Sequence, residues 1–284
     1  MLPASPLLAD LFGLNGQVAI VTGGMGRLGG RYTQVLAEAG ASVAVFDLPH
    51  RTNPIVEQAA GRLAVSTHQL DVTNRAAVDA ALRDVGHRFG TATILINNAG
   101  LGASPADRSL ETGRFEQYPE SAWEAMLGSH LKSALVTSQS FIAQYRATSA
   151  ASTRSARSGS IINVSSTYGL VSPDQSVYEY RRQGGAEYYK PVGYSVAKSG
   201  VLNFTRWLAE YCAPFGLRVN TLAPGGVREA DHAPEFVAEY EKRTPLGRMA
   251  AVEDFDGALL FLASRASAYM TGATLVVDGG WTAR

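Results

Sequence analysis

The sequence predicts an α/β fold: a doubly wound parallel β-sheet of about seven strands with helices on both faces, built as a single domain. Three observations predict it. Short apolar runs recur along the chain, amphipathic stretches separate them, and a glycine-rich turn links the first run to the first helical stretch.

The elements follow in order. Residues 18–21 are a short apolar run; after the glycine turn, 28–39 carry a helical pattern that Gly40 closes. Residues 42–46 read as the second strand, 65–69 as the third, 74–88 as a helix and 93–96 as the fourth strand. A long helix is expected near 121–146, a strand at 160–164, a helix at about 192–212, and two last strands at 217–222 and 274–277. Short buried strands that alternate with helices form βαβ units, so the sheet is Rossmann-like. Residues 1–16 read as an N-terminal extension and 17–284 as one domain with insertions near 102–119, 147–158 and 172–191. The small, polar and basic residues 147–158 read as an exposed flexible loop. The third insertion carries Tyr178, Tyr180, Arg181, Arg182, Tyr188, Tyr189 and Lys190 just ahead of Tyr194.

Composition limits the function classes. Of 284 residues, 46% are hydrophobic and 18% charged, a globular balance without a disorder signature. Lys+Arg and Asp+Glu are both 25, so no basic field favours nucleic acid. The single cysteine, Cys212, excludes an intrachain disulfide and fits a reducing compartment. No apolar run reaches membrane-spanning length and the N-terminus lacks a signal-peptide pattern, so a cytoplasmic protein without membrane partners is expected. No metal is predicted.

Thr22-Gly-Gly-Met-Gly-Arg-Leu-Gly29 lies between the first strand and the first helix. Glycines 23, 26 and 29 let the backbone turn tightly and approach a pyrophosphate, which a helix N-terminus stabilises. Gly23, Met25, Gly26, Arg27, Leu28 and Gly29 are therefore candidate dinucleotide-binding residues. Asp47 ends the second strand, 18 residues after Gly29. A carboxylate there accepts hydrogen bonds from the adenosine ribose and repels a 2′-phosphate, which favours NAD over NADP. Arg27 pulls the other way, since a guanidinium near the pyrophosphate can reach a 2′-phosphate.

From 18 to 281 the chain resembles the short-chain dehydrogenase/reductase family. The glycine turn, Asn97-Asn-Ala-Gly100, Asn163-Val-Ser-Ser166, Tyr194-Ser-Val-Ala-Lys198, Asn220-Thr-Leu-Ala-Pro-Gly-Gly226 and Asp278-Gly-Gly280 stand in family order. The resemblance implies that Asp71 and Val72 border the adenine, that Asn98, Ala99 and Gly100 line the cofactor, and that Pro224, Gly225 and Val227 lie by the nicotinamide. It also implies a homo-oligomer, a tetramer with long helices paired between subunits or a dimer.

Tyrosine is a poor base at neutrality, with an unperturbed pKa near 10. A cation one helical turn away stabilises the phenolate, and Tyr194 and Lys198 share a helix face at i and i+4. By the resemblance, Tyr194 exchanges a proton with the substrate oxygen, Lys198 also holds the nicotinamide ribose, and Ser166 bonds the substrate oxygen while Ser165 serves the turn. Tyr194 follows Ser166 by 28 residues, about twice the family gap, so the insertion must loop over the site. Two departures stand out. The G-x-x-G-x-x-G spacing is more like the extended branch of the family. His130 occupies the place of an asparagine that completes a proton relay, and a histidine there can carry protons itself by titrating near neutrality.

The inserted loop, with Thr244-Pro-Leu-Gly-Arg-Met249 and Val277-Asp-Gly-Gly-Trp281, looks like a subgroup linked to bacterial sugar and acylated amino-sugar metabolism. Hydride transfer between a nicotinamide and a secondary alcohol of a sugar, sugar acid or polyol is the expected activity. Tyr178, Arg181, Arg182 and Gly226 join Ser166 and Tyr194 as substrate-binding candidates, and Arg181, Arg182, Arg228 or Lys190 can pair with an acidic substrate group. Two alternatives stand beside this. One is a sugar-nucleotide epimerase or dehydratase, although about 60 residues after Pro224 leave little room for a substrate domain. The other is a catalytically silent NAD-binding regulator.

Overall fold

A computed structural model describes residues 5–102, 113–149, 159–185 and 187–283. Seven strands, β1 (Val18–Thr22), β2 (Ser42–Asp47), β3 (Val65–Gln69), β4 (Ile94–Asn97), β5 (Gly159–Val164), β6 (Leu217–Pro224) and β7 (Thr274–Val277), pair in the order β3-β2-β1-β4-β5-β6-β7. Every pairing is parallel. The order reverses between β1 and β4, which opens a crevice at the carboxyl ends of the strands, the usual ligand position in such sheets.

Alternation along the strands sorts the two cores. Ala19 and Val21 of β1, with Val43 and Val45 of β2, face one side and pack with Tyr32 and Leu36 of α2 (Arg27–Glu38). Ile20 and Phe46 face the other and pack with Val78, Leu82 and Val85 of α4 (Arg75–Phe89). The short helices α1 (Pro6–Phe12) and α3 (Pro54–Ala60) begin on proline, which fits a first helical turn because its missing N–H has no partner there. Each buried Leu or Val contributes about 1.5–3 kcal/mol of transfer free energy, so helices that are weak alone form against the sheet.

The long helix expected near 121–146 is divided. It runs as α5 (Glu120–Leu127), a π-helical turn (Gly128–Lys132) and α6 (Ser133–Ser149). The Ser133 hydroxyl donates to the carbonyls of Ser129 and His130, and the wide turn carries His130 inward. After β5, α7 (Thr167–Leu170) leads into the third insertion. Its described residues include two short helical elements: Asp174 caps a 3-10 turn at Gln175–Tyr178, and α8 (Glu179–Gln183) follows. Arg182 donates to the carbonyls of Gln175 (2.7 Å) and Tyr188 (3.0 Å), and Arg243 reaches Asp174 at 2.6 Å. Tyr178 and Tyr188 are buried with Phe236, Tyr240 and Trp281 in a third, aromatic core. α9 (Val192–Cys212) has the bounds the sequence suggests; α10 (Pro234–Arg243) and α11 (Asp256–Ala263) complete the chain's helices among the described residues. Most of the first insertion and residues 150–158 of the second lie outside the described residues. Among the described residues no helix is long and apolar enough to cross a membrane.

Candidate active site

A cavity of about 450 Å³ runs along the strand ends and is lined by residues following β1, β2, β4, β5 and β6. Its first wall is the glycine turn. Gly23 adopts φ +62°, a left-handed conformation that favours glycine. A side chain at Gly29 would bring its Cβ to 2.2 Å from the Gly23 carbonyl oxygen, so the third glycine closes the turn while standing behind it. No side chain caps the N-terminus of α2, which leaves its first amides facing the turn.

Asp47 reaches into this turn. One carboxylate oxygen accepts the Met25 N–H at 2.7 Å and the other accepts the Leu48 N–H at 2.8 Å. Met25 therefore contributes through its backbone, and its side chain packs on the core rather than lining the cavity. Gly26, Arg27, Leu28, Asp71, Val72, Asn98, Ala99 and Gly100 do line it. Asn98 donates to the carbonyls of Thr22 and Gly23, both at 3.1 Å, and locks the β4 end to the turn. Asp71 accepts from the Thr73 N–H and hydroxyl, which shapes the adjoining corner. Arg27 is committed elsewhere: it forms an ion pair with Glu229 at 2.6 Å and bonds the Arg228 carbonyl, so it bridges the cavity mouth.

Ser166, Tyr194 and Lys198 meet on the opposite wall. Ser166 is the N-cap of α7, and its hydroxyl accepts the Tyr168 N–H at 3.2 Å while bonding Tyr194. Ser165 instead ties the strand end to α9 by donating to the Lys198 carbonyl at 2.7 Å. The Lys198 ammonium donates to the Val164 carbonyl at 2.9 Å and lies 5.8 Å from the centroid of the Tyr194 ring. Burial pushes Lys198 down to about 8, and burial raises Tyr194 above its ordinary value while Ser166 pulls it back. In the protein alone, therefore, the lysine does not outweigh desolvation at the tyrosine.

His130 is buried on the cavity wall, and its setting does not favour the titration near neutrality expected from its sequence position. Burial, then the Lys198 charge, hold its imidazole well below the usual histidine range, so it is neutral near pH 7. Its Nε2 bonds the Leu101 carbonyl at 3.2 Å, its ring meets Tyr194 edge-on at 5.6 Å, and it packs so closely on Gly100 that a Cβ there would fall 2.0 Å from ring atoms.

Beyond the trio the cavity is walled by Tyr168, Tyr178, His232, Phe236, Tyr240, Met249 and Lys190. Pro224, Gly225, Gly226 and Val227 form its floor, with the Gly226 N–H donating to the Tyr240 hydroxyl at 2.7 Å. Tyr178 thus reaches the cavity, whereas Arg181 and Arg182 do not line it. Arg181 lies 4.2 Å over the Tyr188 ring, and Arg182 is the strut of the insertion. The sequence reading missed α10, which supplies Phe236 and Tyr240. Its signal was present: a proline at the first position and apolar residues at 236, 237 and 240.

The fold and this cavity define a dinucleotide-binding α/β protein with serine, tyrosine and lysine gathered at its strand ends. A family profile described as enoyl-(acyl carrier protein) reductase matches residues 27–282. A 3-oxoacyl-[acyl-carrier-protein] reductase of Chlamydia pneumoniae is 33% identical over 95% of this chain and 98% of its own. A 2-dehydro-3-deoxy-D-gluconate 5-dehydrogenase of Escherichia coli (strain K12) is 31% identical over 98% and 100%. The crystal structure of a gluconate 5-dehydrogenase from Burkholderia cenocepacia, in complex with NADP and tartrate, is similar with a TM-score of 0.80 at 27% identity, covering 97% and 99% of the two chains. The chain belongs to the short-chain dehydrogenase/reductase family. It is an NAD(P)-dependent oxidoreductase of alcohol and carbonyl groups.

Proposed function

We propose that the chain is an NAD-dependent dehydrogenase of a sugar, sugar acid or polyol, with Tyr194 as its proton-transfer group. The observation that carries this is one cavity shared by the glycine turn, Asp47 and the Ser166–Tyr194–Lys198 group. The residues fit a dinucleotide: a glycine turn that side chains would fill, open amides at the start of α2, and a carboxylate at the end of β2. A nicotinamide held there supplies the two-electron hydride acceptor, and in oxidised form a positive charge.

The chain's own residues handle the proton and the orientation. Ser166 and Tyr194 bond the substrate hydroxyl. As the carbinol C–H breaks and its electron pair leaves with the hydride, the O–H proton passes to the Tyr194 phenolate and a carbonyl remains. Lys198, buried beside the ring, favours that phenolate through its charge. His130, neutral, positions Gly100 and the Tyr194 ring by packing. Reduction follows the same path in reverse.

Asp47 supports NAD, and Arg27 is paired with Glu229 at 2.6 Å. Tyrosine faces and hydroxyls around the deeper cavity suit a polyhydroxylated substrate, and the gluconate dehydrogenases among the similar proteins support that class. An assembly of copies is supported by α9, where Trp207, 64% exposed, stacks on Tyr211 at 5.5 Å; light scattering tests it. The substrate reading is tested by following NADH formation with sugars, sugar acids, polyols, steroids and hydroxyacyl thioesters. Activity confined to steroids or thioesters would overturn it.

A further inference from the structure

The cavity floor is braced by α10 and the C-terminal turn. Pro224, Gly225, Gly226 and Val227 end and follow β6, which lies beside β5 and therefore beside Ser166. Asp47 stands at the end of β2, further along the sheet. A dinucleotide laid across the strand ends from Asp47 brings its nicotinamide end to this floor, where hydride exchange with a carbon held at Tyr194 requires it. Tyr240 of α10 packs against the floor, and its hydroxyl accepts the Gly226 N–H at 2.7 Å. We propose that Tyr240, backed by Trp281, is a positioning residue for the nicotinamide: it fixes the Gly226 amide and thereby the surface on which the ring lies. This rests on the dehydrogenase reading above.

The contact leaves no room for a side chain. A Cβ at Gly226 would fall 2.6 Å from the Tyr240 ring, so only glycine lets the phenol reach that amide. The Gly226 carbonyl accepts the Ala250 N–H at 2.9 Å, and Gly225 donates to the Val277 carbonyl at 2.8 Å. Each floor glycine is thus tied to an element behind it. Gly226 has no side chain to anchor it, so its two backbone bonds set its orientation, and Tyr240 supplies one of them. Small displacements of a reacting ring are costly, since hydride transfer needs its two carbons in near-attack contact.

Tyr240 is itself held rigidly. It is buried, its ring stacks on Trp281 at 4.2 Å and 20°, and it tilts against Phe236 at 5.9 Å. Burial pushes its phenol up to about 12, so it stays neutral. Trp281 also meets Tyr168 edge-on at 6.3 Å, and so touches both α10 and the short helix α7 that Ser166 caps. Asp278 shapes the turn that presents Trp281, accepting the Gly280 N–H at 2.9 Å and the Thr282 N–H at 2.8 Å. Trp281 is not among the cavity-lining residues, so it acts on the floor only through Tyr240.

The test uses the full chain and two probes, NADH and ADP-ribose, which share the adenosine and pyrophosphate and differ in the nicotinamide. In calorimetric titration, Tyr240→Phe is expected to bind ADP-ribose within about twofold of wild type and NADH about five- to tenfold more weakly, the range of one hydrogen bond. The emission of bound NADH is expected to move toward that of the free dinucleotide. Trp281→Leu, remote from the cavity, is expected to give the same selective loss at roughly threefold. Thermal midpoints report whether each variant is folded. Both probes weakened alike, or neither weakened, in folded Tyr240→Phe overturns the proposal. A loss confined to the KM of an alcohol substrate also overturns it and makes Tyr240 a substrate contact. Oxidation of sugars or polyols with an unchanged ratio of NADH to ADP-ribose affinity overturns it while leaving the dehydrogenase reading intact. Selective loss of NADH affinity in a chain that turns over no sugar, sugar acid or polyol upholds the positioning role and removes that substrate reading instead.

Discussion

Replacing Asp47 with asparagine isolates the charge that selects the cofactor. The carboxylate does two things at once: it accepts the Met25 N–H at 2.7 Å, which holds the glycine turn, and it presents a negative charge at the end of β2. Asparagine keeps an acceptor for the amide and removes the charge. At an effective dielectric of about 20 and a separation of about 5 Å, one unit charge opposes a phosphate charge by about 3 kcal/mol. The Asp47 side chain is only 11% exposed, but a 2′-phosphate would face solvent, so roughly half of that is a better expectation. NADPH affinity should therefore rise about tenfold. Loss of charge-assisted bonds to the ribose hydroxyls should weaken NADH by about 1–2 kcal/mol, or roughly five- to thirtyfold. The ratio of the two affinities shifts by about two orders of magnitude, measured by fluorescence titration of NADH and NADPH without any knowledge of the substrate. A ratio that stays put in a folded Asp47→Asn, or a wild type that prefers NADPH, refutes the reasoning.

Two further outcomes follow from the same geometry. Gly100→Ala forces a methyl into the His130 ring and is expected to cost about 1–3 kcal/mol, read from urea denaturation midpoints. His130→Asn should leave the neutral-pH limb of the rate profile where it is, since the buried imidazole does not take up a second proton there; a displaced limb would show that it titrates in that range.

The sheet and the catalytic helix were legible because their signals are local. Short apolar runs mark most of the strands, the exception being β3 (Val-Ser-Thr-His-Gln), and α9 runs from Val192 to Cys212 as its pattern indicates. The break between α5 and α6 was not legible: a π turn keeps helical composition, and the contact it serves, His130 against Gly100, spans 30 residues of sequence. The packing of the insertion's described residues escaped for a similar reason. Its arginines and tyrosines look solvated in sequence, yet Arg182 binds carbonyls and Tyr178 stacks on Phe236 of α10, an element far along the chain. Glycines and a terminal aspartate pointed to the cofactor wall, whereas the separation of Lys190 from Arg181 and Arg182 required the fold.

The central claim is that Tyr194, in the cavity shared with the dinucleotide turn, moves the proton of an alcohol being oxidised. Comparing NADH formation by wild type and Tyr194→Phe on the sugar acid that wild type oxidises fastest, with dinucleotide affinity measured in parallel, tests it most directly. The expected result is a loss of about two to four orders of magnitude in turnover with dinucleotide binding retained. Turnover by Tyr194→Phe within a fewfold of wild type would contradict the account.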